Sequence, residues 1–182
     1  MNLYSDSESL DEIISNLLTN ERKSAATELK FHVEAAAREL SLERFSSFEN
    51  SLYQVLFTYL HSDHLGEKLG GVLALREVID CTSASAESKI LKFSNALSFA
   101  LNNDNTDFMV IELVAEALGY MARFSSSSQV DYVERELNRS LDWLSGQVSY
   151  RRHAACAVLH QLAENAPTIF FARSTDFFRL IW

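Results

Sequence analysis

Apolar residues recur along this chain at steps of three and four, the spacing that lines one face of a helix. In 10–18 the stripe is Leu10, Ile13, Ile14, Leu17 and Leu18, with Ser9 and Glu12 placed as a capping box and Asp6 as an earlier possible start. Asn20 stands where it would cap a second helix reaching about residue 40, with Ala25, Ala26, Leu29, Val33, Ala36 and Ala37 inward. A third helix opens near Ser41 and runs to about His61 on Phe45, Phe48, Leu52, Val55, Leu56 and Tyr59. A fourth covers 64–80 through Leu69, Val72, Leu75, Val78 and Ile79.

The second half repeats the scheme. After the break CTSASAE, Ile90, Leu91, Leu97 and Leu101 predict a helix over 85–101. NNDNTD precedes a sixth over 106–123, carried by Val110, Leu113, Val114, Ala117, Leu118 and Met121. Ser128 and Asp131 give the starting signal of a seventh, which ends at Leu144 on Val133, Leu137 and Leu141. An eighth runs over 148–165 with Ala154, Ala155, Val158, Leu159 and Leu162 inward. Pro167 suits the first turn of a further helix, where its missing N–H has no partner to lose.

A small or β-branched residue, a leucine four later and another apolar residue three or four on recur as Ala25/Leu29/Val33, Gly71/Leu75/Val78, Val114/Leu118/Met121 and Ala155/Leu159/Leu162. The starting positions step by 46, 43 and 41 residues, inside the HEAT/armadillo period of about 40–47. The expected fold is all-α, a HEAT/armadillo-like α-α superhelix. Its helical hairpins are 1–40, 41–80, 85–123 and 128–165, with a partial fifth over 167–182. A single globular bundle with even helix lengths is the alternative that would imitate the period.

A terminal repeat needs a polar outer face. The acidic first helix suits that role. The end rich in Phe170, Phe171, Phe177, Phe178, Leu180, Ile181 and Trp182 does not, so the chain is expected to be a fragment of a longer protein.

Composition agrees with helix, with one proline, five glycines and 47% hydrophobic residues. The net charge of −9 disfavours nucleic acid and anionic membrane surfaces as partners. Residues 1–80 carry fourteen acids against seven bases, whereas 145–182 carry four bases against Glu164 and Asp176. Cys81 and Cys156 form neither a disulfide framework nor a zinc knuckle, which fits a reduced cytoplasmic setting. No signal peptide or membrane-spanning run is apparent.

Catalytic and metal motifs fail on spacing. Gly66 and Gly71 sit five apart like the glycines of a phosphate loop, but Val72-Leu73 occupies the Lys-Ser/Thr positions. These glycines therefore read as sites of tight helix contact. His61, Asp63 and His64 share a turn without a third strong ligand. His153 and His160 lack the i,i+4 spacing of a helical zinc pair, and His160 with Glu164 reads as a surface pair. Cys156, among alanines, reads as a small core residue, and the sequon at Asn138 lies mid-helix. The serines at 125–128 read as a flexible loop that could also accept phosphate. Arg151, Arg152 and His153 form the one cationic cluster at a helix start, opposing the macrodipole, and are the candidate partner-binding residues.

Several stretches, in order, resemble the N-terminal helical repeats of the target-of-rapamycin (TOR) kinase family. They are KSAATELKFHVEAAAREL (23–40), EKLGGVLALREVID (67–80), VIELVAEALGYMARF (110–124), VDYVERELNRSLDWL (130–144) and, most closely, RRHAACAVLHQLAENAPTIFF (151–171). The resemblance spans Leu10 to Trp182. It implies a scaffold segment of a much larger serine/threonine kinase related to phosphatidylinositol 3-kinases. ATP and magnesium would belong to a kinase domain absent from this chain, so the segment itself needs no cofactor.

The implied partners are TOR complex subunits and a Rheb-like small GTPase. The parent would be dimeric in its complex, cytoplasmic and recruited to the lysosomal or vacuolar surface. No family functional residue maps onto a numbered position. A free-standing HEAT-repeat adaptor in transport or trafficking, and a small helical enzyme, are the competing expectations.

Overall fold

The computed structural model describes residues 3–79, 86–102, 106–124 and 129–181. Among them every regular element is a helix. The chain divides into two compact units, Met1–Ala84 and Ser85–Trp182. The first holds α1 (Leu3–Asn16), α2 (Arg22–Glu39), α3 (Leu42–His61) and α4 (Leu65–Val78). The second holds α5 (Ala86–Ala100), α6 (Phe108–Phe124), α7 (Gln129–Ser145), α8 (Ser149–Asn165), α9 (Pro167–Ala172) and α10 (Ser174–Ile181). The all-α expectation is met, with HEAT-like hairpins in both units.

In the first unit α1 packs on α2, α3 packs on α4, and α4 lies along α2. α4 is the buried centre, covered from Lys68 through Leu75 and again at Val78. A helix enclosed on several sides needs apolar or small residues all round, so α4 shows no one-sided stripe. Its glycine pair serves two different neighbours. A Cβ at Gly70 would overlap the Leu17 carbonyl oxygen and lie 3.0 Å from the carbonyl carbon. One at Gly71 would lie 3.0 Å from Tyr59 Cβ and 3.2 Å from the Leu56 carbonyl oxygen. Gly70 admits the turn after α1, and Gly71 admits α3.

Local details depart from expectation where tertiary contacts win. α1 begins at Leu3, so Ser9 and Glu12 are interior to it and cannot cap it. Leu18 falls in the turn beyond α1 and is exposed. The start of α2 is arranged by Thr19, whose hydroxyl accepts from the Glu21 amide at 3.1 Å, and not by Asn20. Ala37 is exposed. On α3 the Ser41 hydroxyl does cap, accepting from the Arg44 amide at 3.5 Å. The inward stripe there is Phe45, Glu49, Leu52, Tyr53, Leu56 and Leu60. Phe48, Val55 and Tyr59 are only half-buried. Glu49 tolerates burial partly because the Tyr53 hydroxyl donates to its Oε1 at 3.0 Å.

In the second unit α6 and α8 form the most extensive contact, α7 packs on α8, and α5 packs on α6. Val110, Val114, Ala117, Leu118 and Met121 of α6 are fully buried with Ala154, Ala155 and Leu162 of α8. Each fully buried leucine or valine contributes about 1.5–3 kcal/mol. Gly119 sets the closest approach of the two helices, since a Cβ there would lie 2.7 Å from Gln161 Cβ. The Asp107 carboxylate accepts from the Met109 amide at 2.8 Å and starts α6. Leu91 is exposed and Phe93 takes the buried position instead. Pro167 occupies the first turn of α9 as expected. The starting signal at Ser128 and the 125–128 serine loop lie outside the described residues.

A polar cluster joins α5 to α7. Glu136 is completely buried. It accepts from the Ser94 hydroxyl at 2.6 Å on Oε1 and is paired with Arg139 on Oε2. Arg139 also donates to the Ser98 hydroxyl, which itself donates to the Ser94 carbonyl at 2.5 Å. Burial pulls the Arg139 guanidinium down to about 10, so it remains cationic at neutral pH and matches the carboxylate. Nearby, fully buried Tyr132 donates to the Leu118 carbonyl at 2.7 Å, and burial holds its hydroxyl well above the ordinary phenol range.

Two measurements check this packing. In urea denaturation, Gly70→Ala should destabilise the chain by about 1–3 kcal/mol, because the Leu17 backbone must move. Gly66→Ala, whose Cβ would meet nothing nearer than 3.6 Å, should be neutral or stabilising by about 0.5–1 kcal/mol; equal effects at both sites would contradict the close approach. Arg139→Met should cost about 3 kcal/mol by stranding Glu136, and the double substitution with Glu136→Leu should recover most of it. Additive losses would show that the two side chains do not act as a pair.

Candidate interaction surface

The start of α8 carries Arg151, Arg152 and His153, and the structure divides them between two neighbours. Arg152 donates from Nη1 to the Gly146 carbonyl at 3.0 Å, just past the end of α7. A cation unfavourably placed at the start of α8 thereby meets the negative end of α7, which offsets its position. Arg151 donates to the Tyr150 hydroxyl at 3.2 Å, and its Cζ lies 6.0 Å from the Trp143 ring centroid. Arg139 approaches the same ring at 5.6 Å, so Trp143 carries two guanidinium neighbours. Both α8 arginines are half-buried.

His153 faces the other way. Its ring meets Phe108 of α6 edge-on, centroids 4.8 Å apart. It stands at the open end of a groove of about 430 Å³ between α6 and α8, lined by Glu112, Ala115 and Glu116 on one side and Cys156, Ala157, His160 and Gln161 on the other. Gly119, held against Gln161 and Asn165, marks where the two helices close together. Phe108 and Met109 are 67% and 57% exposed beside the open end. These are large apolar side chains in water with a cleft beside them.

Cys156 is exposed on this groove and not in the core. The reason is register: 154, 155, 158, 159 and 162 form the inward stripe of α8, and 153, 156, 157 and 160 form the next one round. The matching spacing 108, 112, 115/116 and 119 on α6 is the signal that could have revealed the groove. Seeing it requires knowing that α6 and α8 are neighbours. His160 and Glu164 make the expected surface pair at 3.6 Å.

A second groove of about 390 Å³ lies between α7 and α10. Arg173 knits it by donating to Asp176 at 2.8 Å and to Asn138 at 3.2 Å. Asn138 is thus a side chain of mid-α7 engaged with the α9–α10 junction. Among the described residues no three His, Cys, Asp or Glu side chains are grouped to hold a metal ion. No described helix is long and apolar enough to cross a membrane.

No family model matches the chain. Much longer relatives do. The chain is 31% identical over 159 residues, 87% of its length, to the serine/threonine-protein kinase tor1 of Schizosaccharomyces pombe. It is 35% identical over 160 residues, 86% of its length, to the serine/threonine-protein kinase TOR of Oryza sativa subsp. japonica. It is 31% identical over 173 residues, 89% of its length, to TOR2 of Saccharomyces cerevisiae. The chain spans only 7%, 6% and 7% of those relatives.

Arg152→Ala removes the donor to Gly146 and should lower stability by about 1 kcal/mol in urea denaturation. His153→Ala, on an exposed ring, should change it by less than about 0.5 kcal/mol. The reverse ranking would mean that the two side chains have exchanged roles.

Proposed function

We propose that this chain, which belongs to the target-of-rapamycin family of serine/threonine kinases as a segment outside the kinase domain, is an interaction scaffold within its parent protein. One observation carries this reading. Similarity runs through 86–89% of the chain yet occupies 6–7% of each relative, and in this chain the matching stretch folds as helical hairpins. Hairpin arrays hold side chains from successive helices in fixed register, which suits them to gripping other proteins.

Within that role, Arg151, Arg152 and His153 are the proposed contact cluster, and His153 is the member with a free aspect. The resemblance to the family's N-terminal repeats extends the reading. The surface would engage subunits of a TOR complex and a Rheb-like small GTPase, in a cytoplasmic, dimeric parent drawn to lysosomal or vacuolar membranes. Phosphoryl transfer, with its ATP and magnesium, belongs in this reading to a distant domain of the parent.

The test is binding by the 182-residue chain to purified complex subunits and a purified small GTPase, alongside a phosphotransfer assay of the same preparation. Saturable capture of at least one of these proteins, with no transfer above the blank, is the expected result. Failure to capture any of them removes the scaffold reading, and genuine turnover replaces it with an enzyme.

A further inference from the structure

We infer that the α6–α8 groove docks a basic amphipathic helical segment of a partner protein. This rests on the scaffold reading and names a site and a ligand chemistry for it. Three features of the groove converge. Its α6 wall carries Glu112 and Glu116, one helical turn apart. Lysine or arginine side chains at i and i+4 of a helix lying alongside have the same spacing, and their charge would add to the interaction Glu116 already makes within the chain.

Between the walls the lining is small, with Ala115, Cys156 and Ala157, while His153, His160 and Gln161 make the rest of the α8 wall polar. Small side chains let the backbone of a visiting helix come close and let an aliphatic ridge fill the cleft. At the open end, Phe108 and Met109 stand exposed as apolar anchors, and methionine adapts its shape to whatever covers it. Carboxylates repel phosphates, so nucleic acid and anionic lipid are the wrong chemistry for this surface. A second copy of the chain, itself at net −9, is a poor source of a basic ridge.

Cys156 provides a reporter inside the groove, because its thiol is exposed there. The experiment uses the 182-residue chain with Cys81→Ser, leaving one thiol. The probes are synthetic amphipathic helices of about five turns, with one alanine/leucine face and a polar face of either lysine and arginine or glutamate. The readouts are peptide affinity by fluorescence anisotropy and the rate of Cys156 alkylation, with circular dichroism confirming that each variant is folded.

The basic peptides should slow alkylation and the acidic ones should not. Glu112→Lys with Glu116→Lys should weaken basic-peptide binding roughly tenfold, about 1.4 kcal/mol. Phe108→Ala should weaken it without changing charge. The control Asp131→Lys with Glu134→Lys, on exposed positions of α7 that do not line the groove, alters net charge equally and should leave affinity within about twofold, since exposed charges away from a site are screened.

Equal loss in both double variants would overturn the site, because attraction would then follow net charge alone. So would protection by acidic peptides, by anionic vesicles or by oligonucleotide, or no protection by any basic peptide. A dimer in sedimentation equilibrium that itself shields Cys156 would assign the groove to a second copy instead. Each of these leaves capture of complex subunits by other surfaces unaffected, so this site and the scaffold reading fail separately.

Discussion

Close approach of helix backbones governs this structure. Where α4 passes the turn after α1, and where α6 passes α8, the helices meet at glycine, and a single methyl group would collide with backbone or Cβ atoms. Interiors are packed near crystal density, so a displacement of one helix cannot be absorbed locally. The apolar rows on either side of these contacts are buried in register because the glycines allow it. Gly70 and Gly71 show how little sequence the arrangement needs, two adjacent residues serving two different neighbours.

The same constraint shapes the surface. At Gly119 the α6–α8 pair is drawn together, and further toward the open end the two walls leave a groove. The side chains that line it lie one stripe round from the buried ones, so the core fixes their position without using them. Arg152 and Arg151 illustrate the opposite case. Both look available in sequence, yet one holds the Gly146 carbonyl and the other sits over Trp143. A charged residue at a helix start is engaged by the neighbouring helix end when that end lies within reach.

Helix type and inward stripes were legible in the residues because a strong 3.6-residue periodicity survives in most segments. Leu29, Leu56, Val114 and Leu159 lie where their spacing puts them. Failures cluster where a residue's partner is distant in sequence. Glu136 lies outside the expected stripe of Val133, Leu137 and Leu141 and is fully buried, because Ser94 and Arg139 satisfy it. Cys156 reads as core by its alanine neighbours, although its angular position faces the groove. Leu91 yields to Phe93 by two residues of register. Caps misread for a simpler reason: Ser9 matches a local pattern that the longer α1 overrides. The α6–α8 groove was the least legible feature, since each wall contributes an ordinary i, i+4 set and only tertiary pairing brings them together.

Amide hydrogen exchange followed residue by residue tests the central claim most directly, because it ranks helices by burial without any substitution. The slowest amides should lie in α4 of the first unit and in the middle of α6 and α8 of the second, with α9 and α10 exchanging far sooner. Slowest exchange in α1 or α5, or uniform protection along the chain, would contradict an organisation built on the close contact of second helices.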